Sequence, residues 1–277
     1  MSRLSLALAV SLSILPAALS RAADPLRILT LGDSITQGRV GNPGETTRLS
    51  YRYELWKMLI DANIDFDFVG SINVMENETT PYSIPDYMGN SFDRDHEGHW
   101  AWGTAQILSG YDGTGDSAPG NLSTWLAGYT PDIALIHLGT NDMWWRNQTP
   151  SQAAANLELI IDALQADNPN VKILLAELIP VSSAYGNVNS NILALNQLIP
   201  DIATDKTTAT SKVLVVDQYT GFDTSTDTID GIHPNSLGEF KIAQKWFDAI
   251  VPEPCTLAVL AVGSVFLATQ RHGKRRL

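Results

Sequence analysis

Short apolar runs alternate with longer helical patterns along most of this chain, and that alternation restricts the fold more than any other feature. Apolar runs of strand length occupy residues 26–31, 66–69, 132–138, 171–178 and 213–217. Helical patterns occupy residues 51–63, 151–166, 189–199 and 237–250. Strands that alternate with helices form a parallel sheet with helices on both faces. We therefore predict an α/β fold, a three-layer α/β/α sandwich with a central, mostly parallel five-stranded sheet.

One long segment, residues 71–120, interrupts the alternation. It is rich in Gly, Asn, Asp and Pro. A long irregular stretch inside a compact domain usually has a functional role, and we expect this one to shape a substrate cleft. Residues 24–250 as a whole have a size that suits one domain.

A serine stands where the first predicted strand ends, in the run Gly32-Asp33-Ser34. A serine hydroxyl attacks an acyl carbon only if a neighbouring base removes its proton. The run Asp230-Gly231-Ile232-His233-Pro234 supplies an imidazole, and a carboxylate close enough to orient it within one turn. Each run alone has an ordinary interpretation, a turn for the first and a surface pair or helix cap for the second. Together they supply the parts of an activated serine.

A third polar run, Gly139-Thr140-Asn141-Asp142, follows the apolar run 132–138. Functional groups of an open parallel sheet gather at the carboxyl ends of its strands, so we expect Ser34 and Asn141 on the same rim. An asparagine amide there can donate to an oxyanion. Taken alone, the run is also typical of a turn or a helix cap.

In this order the motifs resemble the SGNH, or GDSL-like, hydrolase superfamily. Its pattern has a Gly-Asp-Ser block, a block with a donor glycine, a Gly-x-Asn-Asp block and a late Asp-x-x-His block, and three of the four are literal here. The resemblance implies the flavodoxin-like fold of these hydrolases. It also implies that Ser34 is the nucleophile, His233 the base and Asp230 the acid that orients the base. The amide of Ser34 and the side chain of Asn141 would bind the oxyanion.

The second block departs from the superfamily pattern. The run His96-Glu97-Gly98-His99-Trp100-Ala101-Trp102 is similar to the His-Glu-Gly-His-x-Gly-Trp of family-3 carbohydrate esterases, the acetylxylan-esterase-like branch. On this alignment Ala101 replaces the donor glycine. The donor is a backbone amide, so alanine can supply it unless the site requires a positive φ. Gly103 is the alternative donor.

Histidines and tryptophans near these blocks have further interpretations. A zinc protease places two histidines four residues apart on a helix, whereas His96 and His99 are three apart with Gly98 between them, so we predict no metal site. His137 lies in an apolar strand, where a core histidine is expected.

Tryptophans flank the catalytic blocks and either bind sugar rings or fill the core. We take Trp102 and Trp144 as candidates for substrate binding.

The two ends of the chain differ in composition from the middle. Residues 1–23 contain a basic residue, an apolar stretch and small residues, which is typical of a secretory signal peptide. Residues 251–277 contain Pro252-Glu253-Pro254, an apolar run and a basic tail, and resemble the PEP-CTERM sorting signal of Gram-negative bacteria. That resemblance implies an exosortase-type processing enzyme as a partner, a plain membrane anchor being the alternative. We expect a protein that is secreted, or held in the cell envelope or extracellular matrix, with membrane contact only through these terminal segments.

Charge and cysteine content exclude several classes of partner. Six of the 18 basic and one of the 30 acidic residues lie in the terminal segments, which leaves residues 24–250 with a formal charge of −17. Such a surface repels nucleic acid. A neutral polysaccharide suits this charge, and a polyanionic one suits it less. Cys255, the only cysteine of the sequence, lies in the predicted sorting segment, which excludes an intramolecular disulfide and a catalytic thiol.

The sequence therefore predicts a secreted serine esterase that removes short acyl groups, above all acetyl, from polysaccharide or oligosaccharide without a cofactor. One alternative is a lysophospholipase or arylesterase of the same superfamily. The other is an inactive surface protein that binds carbohydrate. Because a histidine base must be neutral, activity is expected to fall as pH drops through about 6 to 7, the range of an unperturbed imidazole.

Overall fold

The central sheet of the computed structural model contains six parallel strands within residues 24–252, the part of the chain that the structure describes. The strands are β1 Leu26–Gly32, β2 Phe66–Val69, β3 Glu97–Gly98, β4 Ile133–His137, β5 Lys172–Glu177 and β6 Val213–Asp217. Five of them lie in the order β2-β1-β4-β5-β6, and each neighbouring pair is parallel. These five coincide with the predicted runs, so the prediction of a mostly parallel sheet is confirmed.

The sixth strand, β3, is a two-residue addition that the sequence pattern does not predict. It pairs with Leu31 and Gly32 at the end of β1, whereas β2 pairs with β1 only as far as Leu29. Because β4 occupies the other edge of β1, β3 continues the line of β2. The irregular segment 71–120 is thereby fixed beside the carboxyl end of β1.

The helices enclose the sheet. They are α1 Ser34–Gln37, α2 Tyr51–Asp61, α3 Thr104–Ser109, α4 Leu122–Trp125, α5 Thr140–Trp144, α6 Pro150–Asp167, α7 Val188–Asn196, α8 Ile199–Lys206, α9 Thr224–Asp227 and α10 Ser236–Ile250. The patterns at 51–63, 151–166 and 237–250 form helices as predicted, with ends shifted by one or two residues. Within residues 24–252, no helix is long and apolar enough to span a bilayer.

The prediction of one helix over residues 189–199 is wrong at its end. The chain forms α7, and a separate helix, α8, begins at Ile199. Pro200 lies in the first turn of α8, where its missing N–H has no cost. Within a longer continuous helix the same proline would remove a hydrogen bond and clash with the preceding turn.

Each face of the sheet packs against its own set of helices. In β1, Ile28 belongs to a core cluster with Leu55 of α2 and Ile242 of α10, whereas the next residue, Leu29, belongs to a cluster with Leu157 of α6. Successive strand residues point to opposite faces, and here both faces are apolar and covered. Burying each such side chain contributes roughly 1.5–3 kcal/mol. The predicted three-layer α/β/α sandwich is therefore confirmed.

Candidate active site

The carboxyl ends of β1 and β4 lie side by side where the strand order of the sheet reverses. Such a switch point leaves a crevice outside the strand ends. Ser34 begins α1 directly after β1, Asn141 lies in α5 directly after β4, and both side chains line the same cavity. Gly32 permits this close approach, because a Cβ there would lie 2.7 Å from the carbonyl oxygen of His137. The structure thus brings together the two residues predicted on one rim.

Two buried ionisable side chains hold the short helix α1, one at each end. Asp33 caps its beginning and accepts a hydrogen bond from a backbone amide of α1 at 2.9 Å. Burial raises the pKa of Asp33 to about 7. Arg52 of α2 is buried and donates to the carbonyl oxygens of Thr36 at 2.8 Å and Gln37 at 3.2 Å. These carbonyls at the helix end would otherwise lack partners, so Arg52 fixes the helix that presents Ser34.

Ser34, His233 and Asp230 form a continuous hydrogen-bonded chain. The Oγ atom of Ser34 lies 3.0 Å from Nε2 of His233, and Nδ1 of His233 lies 2.7 Å from Oδ2 of Asp230. An ionised Asp230 can only accept, so Nδ1 carries the proton of the neutral imidazole. That tautomer leaves Nε2 free to accept the proton of the serine.

The loop around residue 230 fixes the carboxylate of Asp230. Its Oδ1 accepts hydrogen bonds from the amides of Ile232 at 3.0 Å and His233 at 2.8 Å. Burial acts to raise the pKa of Asp230, but the hydrogen bond and the charge of His233, together with the two amides, outweigh it. They hold the pKa well below its usual range. The carboxylate therefore stays charged beside the imidazole at neutral pH.

The side-chain amide of Asn141 is oriented by two tryptophans. Its Oδ1 accepts from Nε1 of Trp145 at 3.0 Å, and its Nδ2 donates to the carbonyl oxygen of Trp102 at 2.8 Å. Because the indole can only donate, the oxygen of the amide must face Trp145. The second N–H of Nδ2 is left for another acceptor. Asn141 therefore presents a fixed donor at a cavity that Ser34 also lines.

Ala101 has a positive φ, the one backbone conformation in which alanine is a poor replacement for the expected donor glycine. Its φ is 64°, a conformation that costs a non-glycine residue about 1 kcal/mol. Arg146 holds it there by donating to its carbonyl oxygen from Nε at 3.2 Å and Nη2 at 2.8 Å. The Ala101 amide donates to no acceptor within residues 24–252 and lies at the cavity. The Gly103 amide, the alternative, donates to Oε1 of Gln106 at 2.8 Å and begins α3.

The cavity at the strand ends has a volume of about 450 Å³. Trp144 lines it with 41% of its surface exposed, and its ring is nearly perpendicular to that of Tyr185, with 5.2 Å between the ring centroids. The prediction that the ring of Trp102 contacts substrate is corrected, because this ring is fully buried and donates to the carbonyl oxygen of Asp116. The residues that line the cavity are Ser34, Trp100, Ala101, Asn141, Trp144, Trp145 and His233.

The side chains of the His-Glu-Gly-His block are buried and contact residues of the core. Nε2 of His99 lies 2.9 Å from Oε2 of Glu97, and the hydroxyl of Tyr129 donates to Oε1 of Glu97 at 2.6 Å. The His99 ring is stacked between Trp102 and Trp125, with 4.5 Å between centroids on each side. These contacts engage the groups that would otherwise suggest a metal site. Within residues 24–252, His, Cys, Asp and Glu side chains form no group of three or more that could hold a metal ion.

His96 and His137 are buried away from the cavity. Nε2 of His96 lies 3.1 Å from the carbonyl oxygen of Val74, and its Nδ1 accepts from the amide of Gly98 at 2.9 Å. Burial lowers the pKa of His96 well below its usual value and that of His137 to about 4. Both are neutral at physiological pH, so neither changes charge beside Ser34.

Sequence reasoning missed several residues that position the site. Trp100 stacks on His233, with 5.1 Å between centroids and 11° between planes. The hydroxyl of Tyr185 donates to the carbonyl oxygen of Asp230 at 3.0 Å. Neither contact has a local signal. Arg52 does have one, because it lies on the apolar face of the α2 pattern, where a charge is unexpected.

A parallel α/β sheet with serine, imidazole and carboxylate joined at its switch point defines the class of ester-hydrolysing serine hydrolases. Comparison with known sequences agrees. The chain belongs to the GDSL-like Lipase/Acylhydrolase family, whose profile matches residues 30–239. The superfamily that the motifs predicted is thereby confirmed.

Individual proteins similar to this chain were found both among known sequences and among solved structures. A multidomain esterase of Ruminococcus flavefaciens is 32% identical over 259 residues, which cover 89% of this chain and 31% of that protein. This chain thus spans less than a third of that relative. Among solved structures, a family 3 carbohydrate esterase of Clostridium thermocellum is 31% identical, with a TM-score of 0.62 over 86% of this chain and 98% of the other. A structure of an acetyl esterase mutant with acetate ion is 29% identical, with a TM-score of 0.64 over 81% and 96%.

Proposed function

We propose that this protein is a serine esterase that removes acetyl groups from an acylated polysaccharide or oligosaccharide. The observation that carries the proposal is the hydrogen-bonded chain of Ser34, His233 and Asp230 at the cavity. Similarity to proteins described as a family 3 carbohydrate esterase and an acetyl esterase supports both the sugar and the acetyl group. In this proposal the catalytic groups are side chains and backbone amides of this chain, and the co-substrate is water.

The first half of the reaction forms an acyl-enzyme. Nε2 of His233 takes the proton of Ser34 as Oγ attacks the carbonyl carbon of the ester. The charge that develops on the carbonyl oxygen is bound by the amides of Ser34 and Ala101 and by Nδ2 of Asn141. The bond to the sugar oxygen then breaks, and the sugar leaves with the proton that His233 returns.

The second half releases the acid. Water enters the place of the sugar and gives a proton to Nε2 of His233 while its oxygen attacks the acyl carbon. The same three donors bind the second oxyanion. The bond to Oγ breaks, Ser34 regains a proton from His233, and acetic acid leaves and loses its remaining proton to the solvent as acetate. The charged Asp230 stabilises the imidazolium in both halves.

The walls of the cavity favour a sugar substrate. Trp100, Trp144 and Trp145 present indole surface around the nucleophile, and Trp144 is the most exposed of the three. Large flat rings offer apolar area to the C–H faces of a sugar while polar groups nearby hold its hydroxyls. A long acyl chain would need an extended apolar groove, whereas this cavity has a volume of about 450 Å³.

The proposed function predicts a strong preference for acetyl esters. We expect kcat/KM for acetate release from acetylated xylan, and for a p-nitrophenyl acetate probe, to exceed that for p-nitrophenyl octanoate by roughly tenfold or more. The measurement is initial rates with the three substrates at one pH. A preference for octanoate would contradict the hypothesis of an acetylated carbohydrate substrate and favour a lipase. No hydrolysis of any ester would contradict the enzyme reading.

Replacement of Asn141 by alanine tests the oxyanion donor. We expect kcat to fall by about 100- to 1,000-fold with little change in KM, because Nδ2 meets a full negative charge only in the transition state. Trp145→Phe is the matched control. It removes the indole that donates to Asn141 but keeps Nδ2, and we expect a fall of less than about tenfold. Equal losses of kcat in the two variants would assign Asn141 a structural role only.

We further propose that the enzyme acts outside the cytoplasm. The support is the composition of residues 1–23 and 251–277; all of the first segment, and the second from residue 253 onwards, lie outside the described residues. In this proposal a signal peptide ends near residue 23 and an exosortase-type enzyme processes the C-terminal segment. Mass spectrometry of the protein from fractionated cells would test it, and an unprocessed chain in the cytoplasm would contradict it.

A further inference from the structure

The guanidinium of Arg48 is exceptional among the cationic groups of this protein. Residues 24–252 contain 12 lysines and arginines, and eleven of these side chains donate to a carboxylate or a carbonyl oxygen of the protein. Arg48 is the twelfth, and within the described residues its side chain donates to no protein acceptor. Guanidinium groups have five N–H donors and keep their charge in proteins. A partly buried one without an acceptor is suited to receive an anion from outside.

Arg48 lies beside the proposed catalytic base. Its Cζ is 5.4 Å from the centroid of the Trp100 ring, and Cζ of Arg39 is 5.7 Å from the same ring. Trp100 lines the cavity and stacks on His233 with centroids 5.1 Å apart. Two positive charges therefore stand one aromatic ring away from the imidazole that serves the nucleophile.

Backbone pairing holds the two arginines together. The amide of Arg39 donates to the carbonyl oxygen of Arg48 at 2.9 Å, and the amide of Arg48 donates back to Arg39 at 2.9 Å. Arg39 also donates to the exposed carboxylate of Glu45 at 3.4 Å. The like charges of the pair disfavour each other, so an anion bound between them would relieve that repulsion.

The carboxylates near Arg48 form hydrogen bonds with other residues. The charges of Asp230 and Glu239 both act on Arg48, while burial lowers its pKa. Asp230 is hydrogen-bonded to His233 at 2.7 Å, and Glu239 accepts from the amide of Ser50 at 3.1 Å. Neither forms an ion pair with Arg48. Arg48 is therefore a cation with no hydrogen-bonded counterion among the described residues, on a domain whose formal charge is −17.

We propose that Arg48, assisted by Arg39, is a subsite that binds the carboxylate of a uronic-acid unit close to the acetylated sugar. This inference rests on the proposed carbohydrate esterase function and adds a specificity determinant to it. The planar fork of a guanidinium matches the two oxygens of a carboxylate. A mainly neutral polysaccharide with sparse carboxylates also fits the acidic surface, which would repel a dense polyanion.

The test compares one substrate with and without its carboxylate. Acetylated xylo-oligosaccharides that carry a glucuronic-acid branch are used as prepared, and again after chemical reduction of the carboxyl group to a neutral alcohol. We expect wild-type kcat/KM for acetate release to be about tenfold higher on the acidic form, as for a charge-assisted pair. In Arg48→Gln this ratio should fall to about one. Lys212→Gln removes the same charge from the opposite end of the sheet and should keep the wild-type ratio.

A measurement of binding to a catalytically inactive variant tests the subsite independently of the proposed function. Ser34→Ala is titrated by calorimetry with the deacetylated acidic oligosaccharide, and Ser34→Ala/Arg48→Gln serves as its partner. Weaker binding by about tenfold in the double variant supports the subsite, even if the wild-type enzyme releases no acetate and the proposed function fails. Equal affinities of the two proteins would overturn the subsite. An equal loss of kcat/KM on both substrate forms in Arg48→Gln, with a shifted pH profile, would also overturn it and assign Arg48 to the electrostatics of Asp230 and His233.

Discussion

Replacing Ser34 by alanine is expected to lower kcat for ester hydrolysis by about 10,000-fold or more while the fold stays intact. The loss is large because no other described group lies where the acyl-enzyme would form. The fold should survive because Oγ makes one hydrogen bond, to His233, whereas α1 is held by backbone and by Arg52. The measurements are acetate release from acetylated xylan and the thermal unfolding midpoint.

Two further variants show whether the loss belongs to a catalytic unit. Ser34→Ala/His233→Ala should be no slower than Ser34→Ala alone, because a base without a nucleophile has nothing to activate. Ser109→Ala is the matched control, since it removes a serine hydroxyl that only donates to a carbonyl of α3 at 2.9 Å. It should retain wild-type activity. Hydrolysis by Ser34→Ala within tenfold of wild type would exclude Ser34 as the nucleophile.

The exchange Asp230→Asn is expected to lower kcat by about 1,000- to 10,000-fold at neutral pH. The amides of Ile232 and His233 both donate to Oδ1, so the oxygen of the new asparagine must stay at that position. Its NH₂ group then faces Nδ1 of His233, which becomes the acceptor. The proton moves to Nε2, and the imidazole can no longer accept the proton of Ser34.

Two further measurements distinguish this tautomer effect from a general loss of negative charge. They are kcat of a control variant that lacks a different carboxylate, and the unfolding midpoint of Asp230→Asn as a function of pH. Asp248→Asn removes an exposed carboxylate of α10 and should leave kcat unchanged. Because the folded state holds the pKa of Asp230 below its usual value, the carboxylate contributes stability that is present at neutral pH and lost only on strong acidification. The unfolding midpoint of Asp230→Asn should therefore approach that of wild type at low pH. Wild-type kcat in Asp230→Asn would refute its role as the orienting acid.

Much of the fold could be predicted because its signals are local. Every long strand is an apolar run, and the period of the helical patterns identifies α2, α6 and α10. The short elements had no such signal. Strand β3 contains two residues and exists because the end of β1 has an unpaired edge there, which no periodicity reveals. The break before α8 could have been predicted from Pro200, whose effect on a helix is local.

The candidate site was predictable in its reactive groups and not in its surroundings. Ser34 and His233 are 199 residues apart in sequence, yet each stands in a short motif whose chemistry implies the other. Trp102 and Trp100 are two residues apart in one motif, and sequence could not tell which ring would face the cavity. The structure buries Trp102 against His99 and leaves Trp100 on His233. That choice depends on the turn at Ala101, whose positive φ is stabilised by Arg146 from another segment.

By itself, the sequence predicted the class of fold and the candidates for nucleophile, base and acid, because strand and helix periods and short motifs are properties of neighbouring residues. Only the tertiary structure decided which amides and charges near Ser34 remain without a partner. The amide of Ala101 and the guanidinium of Arg48 are available because no acceptor within the described residues reaches them. Whether a polar group is satisfied depends on atoms brought together from distant parts of the chain, so it is a property of packing that a linear pattern does not encode.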